Sequence, residues 1–271
     1  MQVAKWLLDT GGKLAGTVVK EAVKLLPGGG IVVAGAEVIG ALAESVIGDV
    51  ATRQLSKREE MKVGAAATFA LSKLKKRLDA GDTLRDDEWF FANNENYRSS
   101  ADEIFEGILL QCKSEHEEKK VDYISSIFAN IAFDNDIKIE EANHLLKIAE
   151  NLTYRQLKIL AIIKANEYGR LGLRKELLTA PEYWEISVLQ EILELVNYGL
   201  IRQVSLDFII NDLTPEYIKE RIFANDYEDV SINSLLPNAL VITPIGEVLH
   251  DLMDLKEISS IDFEKTRISL S

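Results

Sequence analysis

The sequence predicts a mainly α-helical protein: multi-helix amino-terminal and middle regions, then a last third that carries a small β-sheet. Three observations carry that prediction. Apolar residues recur at spacings of three and four along most of the chain, as in Ile104, Phe105, Ile108, Leu109 and Cys112, the period of a helix with one buried face. Residues 200–204 and 239–242 break that period with short β-branched runs. Thr243-Pro244 then pairs an N-cap residue with proline at the first helical position. The last third therefore reads helix, helix, strand, strand, capped helix.

The chain has 271 residues, 47% hydrophobic and 28% charged, which suffices to bury a core. Five prolines argue against long disordered segments. A single cysteine, Cys112, excludes an internal disulfide framework and a cysteine-based zinc cage, and fits the reducing cytoplasm expected for the protein. The first residues do not read as a signal peptide, because Lys5 is followed by Asp9 and Gly11-Gly12. The formal charge is −13, unevenly spread: residues 1–79 hold twelve Lys/Arg and eight Asp/Glu, a net of +4, which leaves −17 for the remainder. An acidic body repels nucleic acid and anionic membrane; a basic first part does not.

Residues 2–26 predict a helix with Val3, Leu7, Leu14 and Val18 on one face and Trp6 beside them. Gly11-Gly12 weakens its middle by about 1 kcal/mol per glycine, and Pro27-Gly28-Gly29-Gly30 ends it. That glycine cluster is not a phosphate loop, because no Gly-Lys-Ser/Thr follows it. Residues 31–50 are the most apolar stretch. Glu37 and Glu44 interrupt it on one face, and a carboxylate at a bilayer centre costs on the order of several kcal/mol, so it is a poor membrane span. Val32, Ile39, Leu42, Val46 and Val50 cluster on the other face, and Ala36 and Gly40 permit close helix approach. The expectation is a packed helical hairpin. The alternative is a contact with a membrane or a second copy through Val32, Ile39, Gly40, Leu42, Val46 and Val50.

Residues 56–78 predict a helix with Met61, Leu71, Leu74 and Leu78 as its apolar stripe and Lys73, Lys75, Lys76 and Arg77 at its end. Cations there complement the helix dipole; the functional alternative is an anionic surface met by those four residues. Ala80-Gly81-Asp82-Thr83-Leu84 is the clearest linker and coincides with the change of charge sign. Residues 87–91 form a short aromatic segment wedged between helical layers, and 93–96 a turn. Ser99 or Ser100 caps the next helix, with Glu103 placed for a capping box with Ser100. A helix reaching about 133 follows, either separate from that one or continuous with it, with Val121, Tyr123, Ile124, Ile127, Phe128 and Ile131 at helical spacing. Asp134-Asn135-Asp136 stops it. The next helix, 139–152, buries Ala142, Leu145, Leu146, Ile148 and Ala149, and Thr153 caps its successor. The expected regions are 1–80, 81–152 and 153–271, the last with an insertion at 205–238 that holds an extra helix from 215 to 223. The tail from Glu257, with Ile258, Ile261 and Phe263, is expected to dock back or pair as a strand.

No catalytic signature emerges, and no cofactor or metal site is predicted. His116, His144 and His250 do not stand in His-Glu-x-x-His spacing; His116-Glu117-Glu118 is only its first half. Asp134, Asp136, Glu140 and Glu141 lack the loop and central glycine of a calcium hand and are better read as helix-end residues.

Leu195, Gly199, Leu200 and Ile201, followed by Thr243, Pro244, Gly246, Leu249 and Leu252, resemble the winged-helix superfamily of bacterial regulators. Gly199 would supply the left-handed turn after the helix, and with Thr243, Pro244 and Gly246 it marks the fold. The resemblance implies a winged-helix-like domain over about the last third. The helix that would read DNA, roughly 185–197, carries Glu185, Glu191 and Glu194 and no Lys or Arg, whereas base and phosphate contact need donors and positive charge. Arg170, Arg174 and Lys175 upstream are too few to compensate. Residues 98–163, with Leu152-Thr153-Tyr154-Arg155-Gln156-Leu157, loosely resemble helical modules of bacterial conflict and phage-defence proteins, which implies a bacterial role in regulated toxicity.

The function expected is that of a non-enzymatic interaction or regulatory protein whose acidic winged-helix-like part contacts protein. A protein partner or self-association is expected, with an anionic membrane as a further partner of residues 1–79. The alternatives are a membrane-active effector working through residues 1–79, peripheral at the membrane, and a DNA-binding regulator, which the acidic helix disfavours.

Overall fold

The computed structural model describes residues 46–50, 52–87, 90–91, 98–166, 170–172, 182–204, 239–259, 262 and 266. The expected helices over 2–26 and 215–223, most of the 31–50 segment, the 93–96 turn and most of the tail lie outside the described residues. The chain is mainly helical with a small antiparallel sheet near its carboxy end, and it divides into two compact units. The first holds the residues up to Tyr154 together with Leu252–Asp254, the second the rest.

In the first unit, α1 (Lys57–Asp79), α2 (Ser100–Ser114), α3 (Lys120–Ile131) and α4 (Ile139–Asn151) share one core. Ser56 starts α1 with a capping box: its backbone N–H donates to Glu59 Oε2 at 2.7 Å. The expected apolar stripe of α1 is corrected in part. Leu71, Leu74 and Leu78 are buried, but Met61 is only half-buried, and Ala65, Ala66, Ala67 and Ala70 are enclosed instead. Small side chains let α1 lie close to α2 and α3. From α2, Ile104, Phe105, Ile108, Leu109 and Cys112 are all buried, and Phe105 stacks on Phe128 of α3 with centroids 4.7 Å apart. The α2 cap is Ser99 rather than Ser100: Asp102 N–H donates to Ser99 Oγ at 3.0 Å, so the cap sits one residue earlier than the Ser100–Glu103 box.

Two cations pin the connections. Arg85 follows the predicted linker, and its side chain is 2% exposed. It donates to both oxygens of Asp87, at 2.5 and 2.8 Å, and to the Ile137 carbonyl at 3.1 Å, while its guanidinium lies 4.3 Å from the Phe90 ring centroid. The Arg85 guanidinium holds the Asp87 carboxyl below the ordinary aspartate range. Residues on both sides of the expected boundary at 80 therefore belong to one unit, because this segment is anchored in the core that α1 to α4 share. Lys120, at the start of α3, pairs with Glu115 at 2.6 Å with side chains 3% and 4% exposed. Glu115 Oε1 accepts from Glu117 N–H at 2.8 Å, and Lys62 donates to the Glu115 carbonyl at 2.7 Å. Such a buried pair is tolerated only when the remaining donors and acceptors are met. These contacts separate α2 from α3.

The second unit holds α5 (Tyr154–Ala165, which begins at the last residue of the first unit), β1 (Arg170–Gly172), α6 (Tyr183–Asn197), β2 (Ile201–Val204), β3 (Ala239–Ile242) and α7 (Pro244–Leu252, whose last residue belongs to the first unit). The strands form one antiparallel sheet in the order β1-β3-β2. Ile201 faces Ile242 in register, and Ile201, Leu240 and Ile242 are buried, so the alternation sends one side of β3 inward. The α6 end is a Schellman turn: Leu200 N–H donates to Leu195 O at 3.0 Å and Gly199 N–H to Val196 O at 2.9 Å, with Gly199 at φ +71°. Thr243 caps α7 by accepting from Gly246 N–H at 3.1 Å, and its own N–H donates to the Leu200 carbonyl at 3.0 Å. A methyl group on Gly246 would lie 2.0 Å from that same carbonyl oxygen.

Two outcomes are expected from this packing. Gly199→Ala costs about 1–2 kcal/mol, the strain of a left-handed alanine, and Gly246→Ala costs more, about 3 kcal/mol, because the clash is with backbone; chemical denaturation of both variants measures the order. Burial pushes the Cys112 thiol up to about 12, and the nucleophile is the thiolate. Cys112 should therefore stay unreactive toward a thiol reagent at pH 8 and react fully once the protein is unfolded.

Candidate functional site: the outward face of α6

Helix α6 begins with the Glu182 N–H donating to Glu185 Oε2 at 2.8 Å. Its inner face is Val188, Ile192 and Leu195, all buried. A second apolar stripe stands on the other side. Tyr183 is 92% exposed, Leu193 52%, Trp184 48% and Ile186 44%, and these are four of the five large hydrophobic side chains exposed among the described residues. Tyr183, Ile186 and Leu193 are three and seven apart, so they share a face at helical period. Trp184 is half-exposed but lies off that face, about 180° round the helix from Leu193, with its indole N–H donating to Glu182 at 2.8 Å.

The acids of α6 serve inward more than the sequence suggests. Glu185 is 3% exposed and takes the cap contact just described. Glu191 accepts from Arg155 of α5, which also donates to Ser187 Oγ at 3.0 Å. Gln156, fully buried, donates to Glu194 at 2.7 Å and to the Glu191 carbonyl at 3.3 Å. Those contacts fix the rotation of α6 about its axis relative to α5 and hold the apolar stripe outward. The outward face is therefore apolar, bordered by Glu182 and Glu194, with no Lys or Arg between 182 and 197.

Of the residues expected at a membrane or self-contact, Val46 and Val50 are fully buried in a helical stretch over 46–50; Val32, Ile39, Gly40 and Leu42 lie outside the described residues. No described helix is long and apolar enough to cross a membrane. Of the four expected at an anionic surface, three are engaged. Lys73 donates to Ser126 and lies 3.3 Å from both Asp122 and Asp254; Lys75 pairs with Asp79 at 2.9 Å; Arg77 pairs with Asp82 at 2.7 Å and lies 4.2 Å from the Phe133 ring centroid. Lys76 is exposed. The fold markers Gly199, Thr243, Pro244 and Gly246 come together at the α6–β2 and β3–α7 junctions.

Sequence reasoning missed Tyr183, Ile186 and Leu193 as a surface. The available signal was a helix with apolar residues on two opposite sides, one side more than a core contact requires. Comparison of the chain with protein-family models, with curated proteins and with solved structures finds no match.

The two stripes should separate cleanly under mutation. Leu195→Ala, in the core, costs about 2–5 kcal/mol. Leu193→Ser, two residues away on the outward face, stays within about 0.5 kcal/mol. Urea denaturation of both variants checks the difference.

Proposed function

We propose that this chain is a non-catalytic interaction protein whose second unit is a winged helix turned from nucleic acid to protein. Its partner is a protein surface that is apolar at the centre and basic at the border. Support for the winged-helix reading comes from the β1-β3-β2 order, with α5 before β1, α6 before β2 and α7 after β3. The single observation that carries the protein partner is the outward face of α6. A DNA-reading helix needs cations and donors to reach phosphate and base edges; the outward face of this one offers Tyr183, Ile186 and Leu193. Aromatic and aliphatic anchors inside a polar border are the make-up of a protein–protein hot spot. Charge complementarity with Glu182 and Glu194 selects the basic border. The resemblance of residues 98–163 to helical modules of bacterial conflict and phage-defence proteins supports a role in regulated toxicity as part of this reading.

A photo-crosslinking amino acid at position 193, in cells that naturally make the protein, should yield one discrete protein adduct. Ile186→Asp should abolish the adduct while the circular dichroism spectrum stays unchanged. An adduct with nucleic acid, or a salt-dependent shift of duplex DNA by the purified chain at micromolar concentration, overturns the reading.

A further inference from the structure

The link between α2 and α3 gathers three side chains of metal-ligating type. Glu115, His116 and Glu117 are consecutive, and each turns a ligand atom to the same place: the atoms they offer lie within 4.8 Å of one another. His116 Nδ1 is 3.6 Å from Glu115 Oε1. That is too long for a hydrogen bond and close to the spacing, about 3.4 Å, of two ligands that each stand about 2.1 Å from one tetrahedral ion. Both carboxylates are held by backbone donors. Glu115 Oε1 accepts from Glu117 N–H at 2.8 Å, and Glu117 Oε2 accepts from Tyr154 N–H at 2.8 Å. Fixed carboxylates lose little freedom when an ion arrives.

A cleft of about 280 Å³ opens beside them, and Gln111, Glu150 and Thr153 are among its lining residues. Gln111 is 8% exposed, yet its amide nitrogen has no hydrogen-bond partner among the described residues. An unmet buried donor is costly in a native fold, and the Gln111 amide would have to turn toward the cleft for an acceptor there to meet it. Lys120 takes Glu115 Oε2 and leaves Oε1 to the ion; Lys62 donates to the Glu115 carbonyl at 2.7 Å, and Glu150 is paired with Lys147 at 2.5 Å.

We infer that Glu115, His116 and Glu117 form a binding site for a divalent transition-metal ion, Zn²⁺ in the first instance, with an open coordination position facing the Gln111 cleft. An imidazole beside two carboxylates suits zinc better than magnesium or calcium, which prefer all-oxygen ligands. The inference is independent of the α6 proposal.

The test uses the full chain, without a histidine tag and stripped with chelator, in calorimetric titrations with ZnCl₂ and MgCl₂. One Zn²⁺ per chain is expected, with a dissociation constant of about 10 μM or tighter and Mg²⁺ at least 100-fold weaker. His116→Ala is expected to weaken zinc at least tenfold. The His116 side chain is 90% exposed, so its removal leaves the fold intact, which circular dichroism verifies. Glu117→Gln should weaken zinc as well, and the exposed His144→Ala should not. The assignment is overturned by the absence of a stoichiometric zinc site, by His116→Ala binding as tightly as the parent, or by Mg²⁺ matching Zn²⁺.

Discussion

The carbonyl oxygen of Leu200 is the point on which α6, β2, β3 and α7 are fixed to one another. It accepts from the Thr243 backbone N–H at 3.0 Å, and the glycine at 246 lets the first turn of α7 press against it. Thr243 holds the other side: its hydroxyl donates to the Gly199 carbonyl at 2.5 Å and accepts from Gly246 N–H. Any side chain at 246 would displace α7, and any loss of the turn at 199 would displace Leu200. The rotation of α6, and with it the outward setting of Tyr183, Ile186 and Leu193, depends on that junction and on the Arg155 and Gln156 contacts.

In the first unit the corresponding constraints are ionic. Arg85 and Lys120 are both nearly inaccessible, and each satisfies backbone carbonyls as well as a carboxylate. The segments they hold carry few apolar residues, so hydrophobic burial alone would leave those segments loosely placed. A buried cation with several fixed acceptors sets a segment to within a hydrogen-bond length. The Glu115–Lys120 pair thereby fixes the conformation of residues 115–117, on which the proposed ion site depends.

Helices with a clear apolar period were legible: Ile104 to Cys112 and Val121 to Ile131 sit where the spacing puts them. So were both ends of the strand–helix junction, because Gly199 and Thr243-Pro244 act through local backbone geometry. Three things were not. The alanines of α1 read as neutral, although Ala65, Ala66, Ala67 and Ala70 are fully buried in the core that α1 shares with α2 and α3. The acidity of α6 pointed to an acidic face, but a sequence does not show which carboxylates find internal donors; Arg155 and Gln156, some thirty-five residues away, decide that. The half-motif His116-Glu117-Glu118 led nowhere in helical spacing, because the relevant neighbour is Glu115, and only a non-helical link brings its oxygen near the imidazole.

Val204 and Ala239 are partners in register across the β2–β3 pair. The ends of β2 and β3 therefore stand about one strand spacing, roughly 5 Å, apart. Closing a longer or shorter excursion between two such points changes the chain entropy only logarithmically. A change in the number of residues between Val204 and Ala239 is therefore expected to leave the ends of β2 and β3, and the Leu200 junction beyond them, where they are.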